Sequence, residues 1–152
     1  MATFFPDNPE QQPGQDITSH PFWPAINTAA VRDVMRIDGD ITAPRLEHAV
    51  ITAIAQVNQD LISYRQSAEA ITLADMPAEQ IGGVSQLVHH YQRAVYCLTR
   101  ANLIERLRDY DTTKDGESRA ETLEQTVTDL RRDARFAVRA IIGTTHTTVE
   151  LI

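Results

Sequence analysis

The nearest approach to a chemical motif in this sequence is the run Asp111-Thr-Thr-Lys-Asp115-Gly116-Glu-Ser-Arg-Ala-Glu-Thr122. It lies between two helical patterns and places Asp at the first and fifth positions of a calcium loop, with Gly at the sixth. Thr113 then stands at the third position, Arg119 at the ninth and Thr122 at the twelfth. A calcium cage needs a bidentate carboxylate at the twelfth position, and an arginine where a ligand belongs repels the ion. The pattern therefore argues against a metal. The histidines are His20, His48, His89, His90 and His146. The adjacent pair His89–His90 projects about 100° apart on a helix, so the two rings cannot share one ion as an i, i+4 pair does. Cys97, the single cysteine, sits between Tyr96 and Leu98 in a helical pattern, where a thiol acts as a small apolar side chain. No Gly-rich phosphate loop, serine elbow or zinc-spaced Cys/His set is present. The sequence thus offers no catalytic, cofactor-binding or metal site, and the expectation is a protein that is not an enzyme and carries no cofactor.

Composition bounds what remains. The chain has 152 residues, 42% hydrophobic and 23% charged, which suits one domain with a packed core. A net charge of −7 opposes nucleic-acid binding through phosphate contacts. Lys114 is the only lysine among 14 cationic residues, so arginine supplies the rest. No run approaches the roughly 18 apolar residues of a membrane span. Met1–Glu10 has neither a basic n-region nor an apolar h-region, which gives the expectation of a cytoplasm-like compartment.

The elements that must position any surface follow from periodicity. Residues 1–26 form a proline-punctuated arm, with prolines at 6, 9, 13, 21 and 24 that favour extended backbone. Within it Phe22 and Trp23 lie between two prolines, placed either to pack on the chain's own core or to dock on a partner. Residues 27–143 read as a mainly α helical bundle of about three long helices plus a short one. Asn27 caps the short helix, which runs to about Arg36. Thr42 and Pro44 open a long helix that fades near Ala70, with its apolar stripe at Leu46, Val50, Ala53, Ile54, Val57, Leu61 and Tyr64. A linker through Asp75-Met-Pro to Gly82-Gly83 leads to a third helix from about Val84 to Tyr110.

That third helix is apolar on two sides. Leu87, Tyr91, Ala94, Val95, Leu98 and Ala101 make one stripe; Tyr96, Leu103, Leu107 and Tyr110 make another, roughly 150° away. Such a helix is either central in the fold or half-buried in a neighbouring subunit. Ser118-Arg-Ala-Glu121 has capping-box form and starts the last helix, which Gly143 closes. Phe136 projects away from that helix's core stripe as a candidate interface anchor. Residues 144–152 form a short extended, β-prone tail in which Val149, Leu151 and Ile152 alternate with polar residues, suited to strand addition on another protein. Phe22, Trp23, Tyr96, Leu103, Leu107, Tyr110, Phe136, Val149, Leu151 and Ile152 are accordingly the candidate interface residues.

Several ordered runs resemble one family, the head completion (head stabilisation) proteins of peduovirus-type, contractile-tailed phages. They are Pro21-Phe-Trp-Pro24, Arg45-Leu-Glu-His-Ala49 with Val57-Asn58, Leu73-Ala-Asp-Met-Pro-Ala78, Tyr91-Gln-Arg-Ala-Val-Tyr96, Glu105-Arg with Arg108-Asp-Tyr-Asp111, Asp129-Leu-Arg-Arg-Asp-Ala-Arg-Phe-Ala137 and Thr148-Val-Glu-Leu-Ile152. Two departures stand out. Ile81-Gly-Gly-Val-Ser85 lacks an acidic, Asp-Gly-Glu-like pattern associated with the family, and Phe136 stands where the family often has tryptophan. The resemblance implies a structural adaptor of the head–tail neck that binds the portal protein after DNA packaging. It also implies contacts with neighbouring copies in a twelvefold ring, a tail-side connector or terminator as second partner, and DNA passing through the channel without sequence-specific binding. Localisation would be the virion, with host cytoplasm during assembly and no membrane. The alternatives are a tail-side terminator or a small helical regulatory protein.

Overall fold

A computed structural model describes residues 13–108 and 116–143. The fold is mainly helical, as expected, with five α-helices and two very small antiparallel strand pairs among the described residues. From residue 13 onward the proline-rich segment is folded onto the bundle. Strand β1 (Asp16–Ile17) pairs antiparallel with β2 (Ile26–Asn27), in the register Asp16↔Asn27 and Ile17↔Ile26. Gly14 is required there: a Cβ on it would stand 2.4 Å from Asn27 Oδ1 and 2.5 Å from Ala29 Cβ. Asn27 then caps α1 (Thr28–Met35), its side-chain oxygen accepting from the Ala30 amide at 3.1 Å.

Helix α1 ends at Arg36, which takes the left-handed conformation (φ 53°) although it carries a Cβ. The Arg32 guanidinium donates to the Asp38 and Ile41 carbonyls, both at 2.9 Å, and so ties the following turn to the start of α2. Helix α2 (Ala43–Asp60) begins with Pro44 in its first turn and buries Leu46, Ala49, Val50, Ala53, Ile54 and Val57. The long second helix expected from periodicity is broken at Leu61 (φ −103°, ψ 12°) and resumes as α3 (Ile62–Ser67). Leu61 is fully buried, so the stripe continues through the break and periodicity carries no sign of it.

A single 3-10 turn (Leu73–Asp75) and a two-residue hairpin follow, β3 (Gln80–Ile81) against β4 (Val84–Ser85). Gly82 (φ 61°) and Gly83 (φ 78°) supply the two left-handed residues that such a tight turn demands. Ser85 caps α4 (Gln86–Arg108), its hydroxyl accepting from the Leu87 amide at 3.3 Å; the helix therefore opens two residues after the expected Val84. Helix α5 (Gly116–Ile142) opens ahead of the expected Ser118 and closes at Gly143 (φ 83°), whose amide donates to the Arg139 carbonyl at 2.9 Å.

Helix α4 is the centre of the fold, packed between α2 and α5. Tyr91, Ala94, Val95, Thr99 and Ala101 are fully buried, with Cys97, Leu98 and Leu103 nearly so. The pairs Arg93–Asp133 and Glu105–Arg131 fix α4 and α5 antiparallel. The two-sided apolar pattern of α4 thus serves a central helix, each buried side chain of this size stabilising the fold by about 1.5–3 kcal/mol.

Candidate assembly interface

The candidate interface residues divide into three groups. Phe22 and Trp23 are core residues, 3% and 5% exposed, which is the packing on the chain's own core that the sequence left open beside docking. Trp23 stacks on Tyr91 with ring centroids 5.0 Å apart and planes at 6°, while Phe22 meets Trp23 edge-on at 4.7 Å. The backbone enforces this: Trp23 N–H donates to the His20 carbonyl at 2.9 Å, and Leu73 N–H donates to the Phe22 carbonyl at 2.9 Å. Leu103 is likewise a core residue, covered because α4 is central, and Tyr96 is half-buried against that core. Leu107 and Phe136 do reach the surface, 46% and 38% exposed. Tyr110, Val149, Leu151 and Ile152 lie outside the described residues, as do residues 111–115 of the Asp111–Thr122 run, whose remainder from Gly116 opens α5.

Other exposed apolar side chains escaped the sequence reading. Ile81 and Val84 face each other across the β3–β4 hairpin and are both exposed, as are Val34, Ile51, Ile71 and Ile142. Alternation cannot be read in strands of two residues, so the hairpin pair left no signal.

The adjacent histidines and the cysteine are held by their surroundings in the structure. His89 Nε2 lies 2.8 Å from the Ile81 carbonyl, and His90 approaches Gln86 at 3.4 Å, so the two rings hold separate partners. Burial pushes the Cys97 thiol up, Asp133 adds to the effect, and Arg93 and Arg100 only partly oppose it. A thiol held protonated is a poor nucleophile. Burial also raises Tyr91 to about 12, against hydrogen bonds that favour its ionised form. Its hydroxyl donates to Asn58 Oδ1 at 2.6 Å, and Asn58 Nδ2 donates to Ser19 Oγ at 3.1 Å, stitching the N-terminal strap to α2 and α4. Among the described residues no group of three His, Cys, Asp or Glu side chains could hold a metal, and no helix is long and apolar enough to cross a membrane.

A groove of about 720 Å³ lies between the first turns of α2 and the last turns of α4. Ile41, Ala49 and Leu103 form its apolar floor, and Leu107 continues it outward. Arg45, His48 and Arg106 stand along its rim. Among the described residues the one acid there, Glu105, is held by the Arg131 guanidinium through two bonds of 2.6 and 3.2 Å. Asn102 also lines the groove; its Oδ1 accepts from the Arg131 guanidinium at 3.4 Å. Its amide nitrogen is buried without an acceptor among the described residues. A buried unpaired donor costs about 1–3 kcal/mol.

Comparison with known proteins gives this surface its context. The profile of the family described as "Phage head completion protein (GPL)" matches residues 17–152. The head completion/stabilization protein of Escherichia phage P2 is 37% identical over 125 residues, which span 80% of this chain and 74% of that protein. No solved structure gives a significant match. The matched region takes in β2, α2, the central α4, the α2/α4 groove and the closing α5. The chain belongs to the phage head completion protein family.

Proposed function

We propose that this protein completes the filled phage head as an adaptor, binding the portal protein at the vertex and presenting the surface on which the tail docks. Membership of the head completion family carries the reading, since the family match spans residues 17–152 and hence nearly all of the described fold. A structural role agrees with the chemistry on the surface: a groove with an apolar floor and exposed side chains such as Leu107 and Phe136 suit protein contacts. In this reading neighbouring copies form a ring, whose closure requires each subunit to present two different patches. DNA passes through that ring without base-specific contact, as the acidic balance of the chain favours.

The test is a phage lacking this gene product. It should accumulate packaged heads that leak DNA and do not accept tails, and adding the purified protein should restore plaque formation and portal binding. Stable filled heads in its absence would overturn the reading. Recovery of the protein on isolated tails, with none on heads, would instead assign it to the tail as a terminator.

A further inference from the structure

The α2/α4 groove has an unusual combination of properties for the surface of an acidic protein. Its floor is aliphatic, its rim carries Arg45, His48 and Arg106, and among the described residues its only acid is already held by Arg131. None of those three rim side chains makes an ion pair or side-chain hydrogen bond among the described residues. Asn102 adds an unmatched amide donor. A fitting occupant is an extended peptide with aliphatic side chains for the floor and one acid for the rim.

We infer that the groove receives the segment Thr147–Ile152 of a neighbouring copy of this chain. That segment reads Thr-Thr-Val-Glu-Leu-Ile and so brings Val149, Leu151 and Ile152 to an aliphatic floor and Glu150 to the arginines. The fold places the groove beyond easy reach of the chain's own segment. Arg93–Asp133 and Glu105–Arg131 make α4 and α5 antiparallel, so α5 ends at Ile142 beside the first turns of α4. The groove lies at the other end of α4, some 15 residues on, or about 22 Å along the axis. Six residues separate Gly143 from Val149, which span about 20–22 Å only when fully extended. A copy setting Val149 in its own groove would have no slack for the path around the bundle, and only Leu151 and Ile152, about 26–32 Å from Gly143 when fully extended, would have any to spare. A tail-into-groove contact is heterologous and repeats from subunit to subunit, which is what ring closure uses. The inference rests on the head completion reading for its setting.

The experiment replaces Thr52, exposed beside the groove, and Leu151 with cysteine in a Cys97→Ala background. Filled heads carrying this variant are oxidised and run on a non-reducing gel. A ladder of linked copies that collapses with reductant is the expected result, and each single-cysteine variant should give none. An internal disulfide without a ladder overturns the inference, because the segment then folds back on its own chain. No linkage, with the protein present in the heads, also overturns it and leaves the groove to residues 109–115 or to another virion protein; the head completion role survives. Absence of the unmodified protein from filled heads removes that role and this inference together. A labelled peptide of residues 144–152 provides a second measurement on the full chain in solution. It should bind, lose at least tenfold in affinity to Arg106→Glu, and regain affinity for that variant when the peptide carries Glu150→Arg. Absence of binding, or binding indifferent to Arg106, contradicts the proposal.

Discussion

Replacing Trp23 with alanine tests whether the N-terminal strap belongs to the core. The indole is 5% exposed, lies parallel to Tyr91 at 5.0 Å and takes the edge of Phe22 at 4.7 Å. Truncation removes one of the largest buried side chains and leaves a cavity between α4 and the strap, which the Leu73–Phe22 backbone bond keeps from collapsing. Core Trp-to-Ala changes cost about 3–5 kcal/mol, a large share of the roughly 5–15 kcal/mol that holds a typical domain folded. For a chain of this size that corresponds to a melting point lower by roughly 6–20 °C. Far-UV circular dichroism during urea and thermal denaturation is the appropriate assay, because the variant lacks the only tryptophan. Trp23→Phe keeps the stack on Tyr91 and should lose less than half as much. A Trp23→Ala protein within about 1 kcal/mol of the wild type would refute the packing argument and return Phe22–Trp23 to the surface.

Three further outcomes are expected. Tyr91 is held protonated in the folded state at about 12, above its ordinary 10.0, so its contribution to stability is intact below pH 10 and is lost as pH rises from there towards 12. Urea midpoints should fall across that window, and Tyr91→Phe should flatten the fall; an equally steep curve for the variant would contradict the assignment. Gly83→Ala should lower stability by about 1–2 kcal/mol purely through its left-handed backbone, since no atom lies within 4 Å of the added methyl group. An unchanged melting temperature would show that the hairpin does not need that conformation. Cys97 should react with a thiol reagent only on unfolding, with rapid reaction of the native protein counting against its burial and raised pKa.

Much of the framework was legible because 3–4 periodicity reports which face of a helix is buried. It located α4, α5 and the short capped helix after Asn27 to within a few residues, and the start of α2. It could not report the break at Leu61, because a buried leucine satisfies the stripe whether or not the helix is continuous. It also could not choose between core and partner for Phe22 and Trp23. That choice depends on Tyr91, nearly seventy residues further on, and on a backbone bond to Leu73, neither of which local patterning encodes. For α4 both stripes were visible, yet only the packing of α2 and α5 against it shows that the second belongs to the fold through Leu103 and reaches the surface only at Leu107. The groove was invisible for a related reason. Its walls come from Arg45 and Arg106 on different helices, and its unpaired donor exists only because Arg131 claims the other end of the Asn102 amide.

The central claim, that this chain completes the head at its portal vertex, is tested most directly by cryo-electron microscopy of the neck in mature particles and in unpackaged proheads. The account predicts density fitting the α2–α4–α5 fold in contact with the portal of DNA-filled heads and none in proheads. Mature tailed particles without that density at the vertex would contradict it.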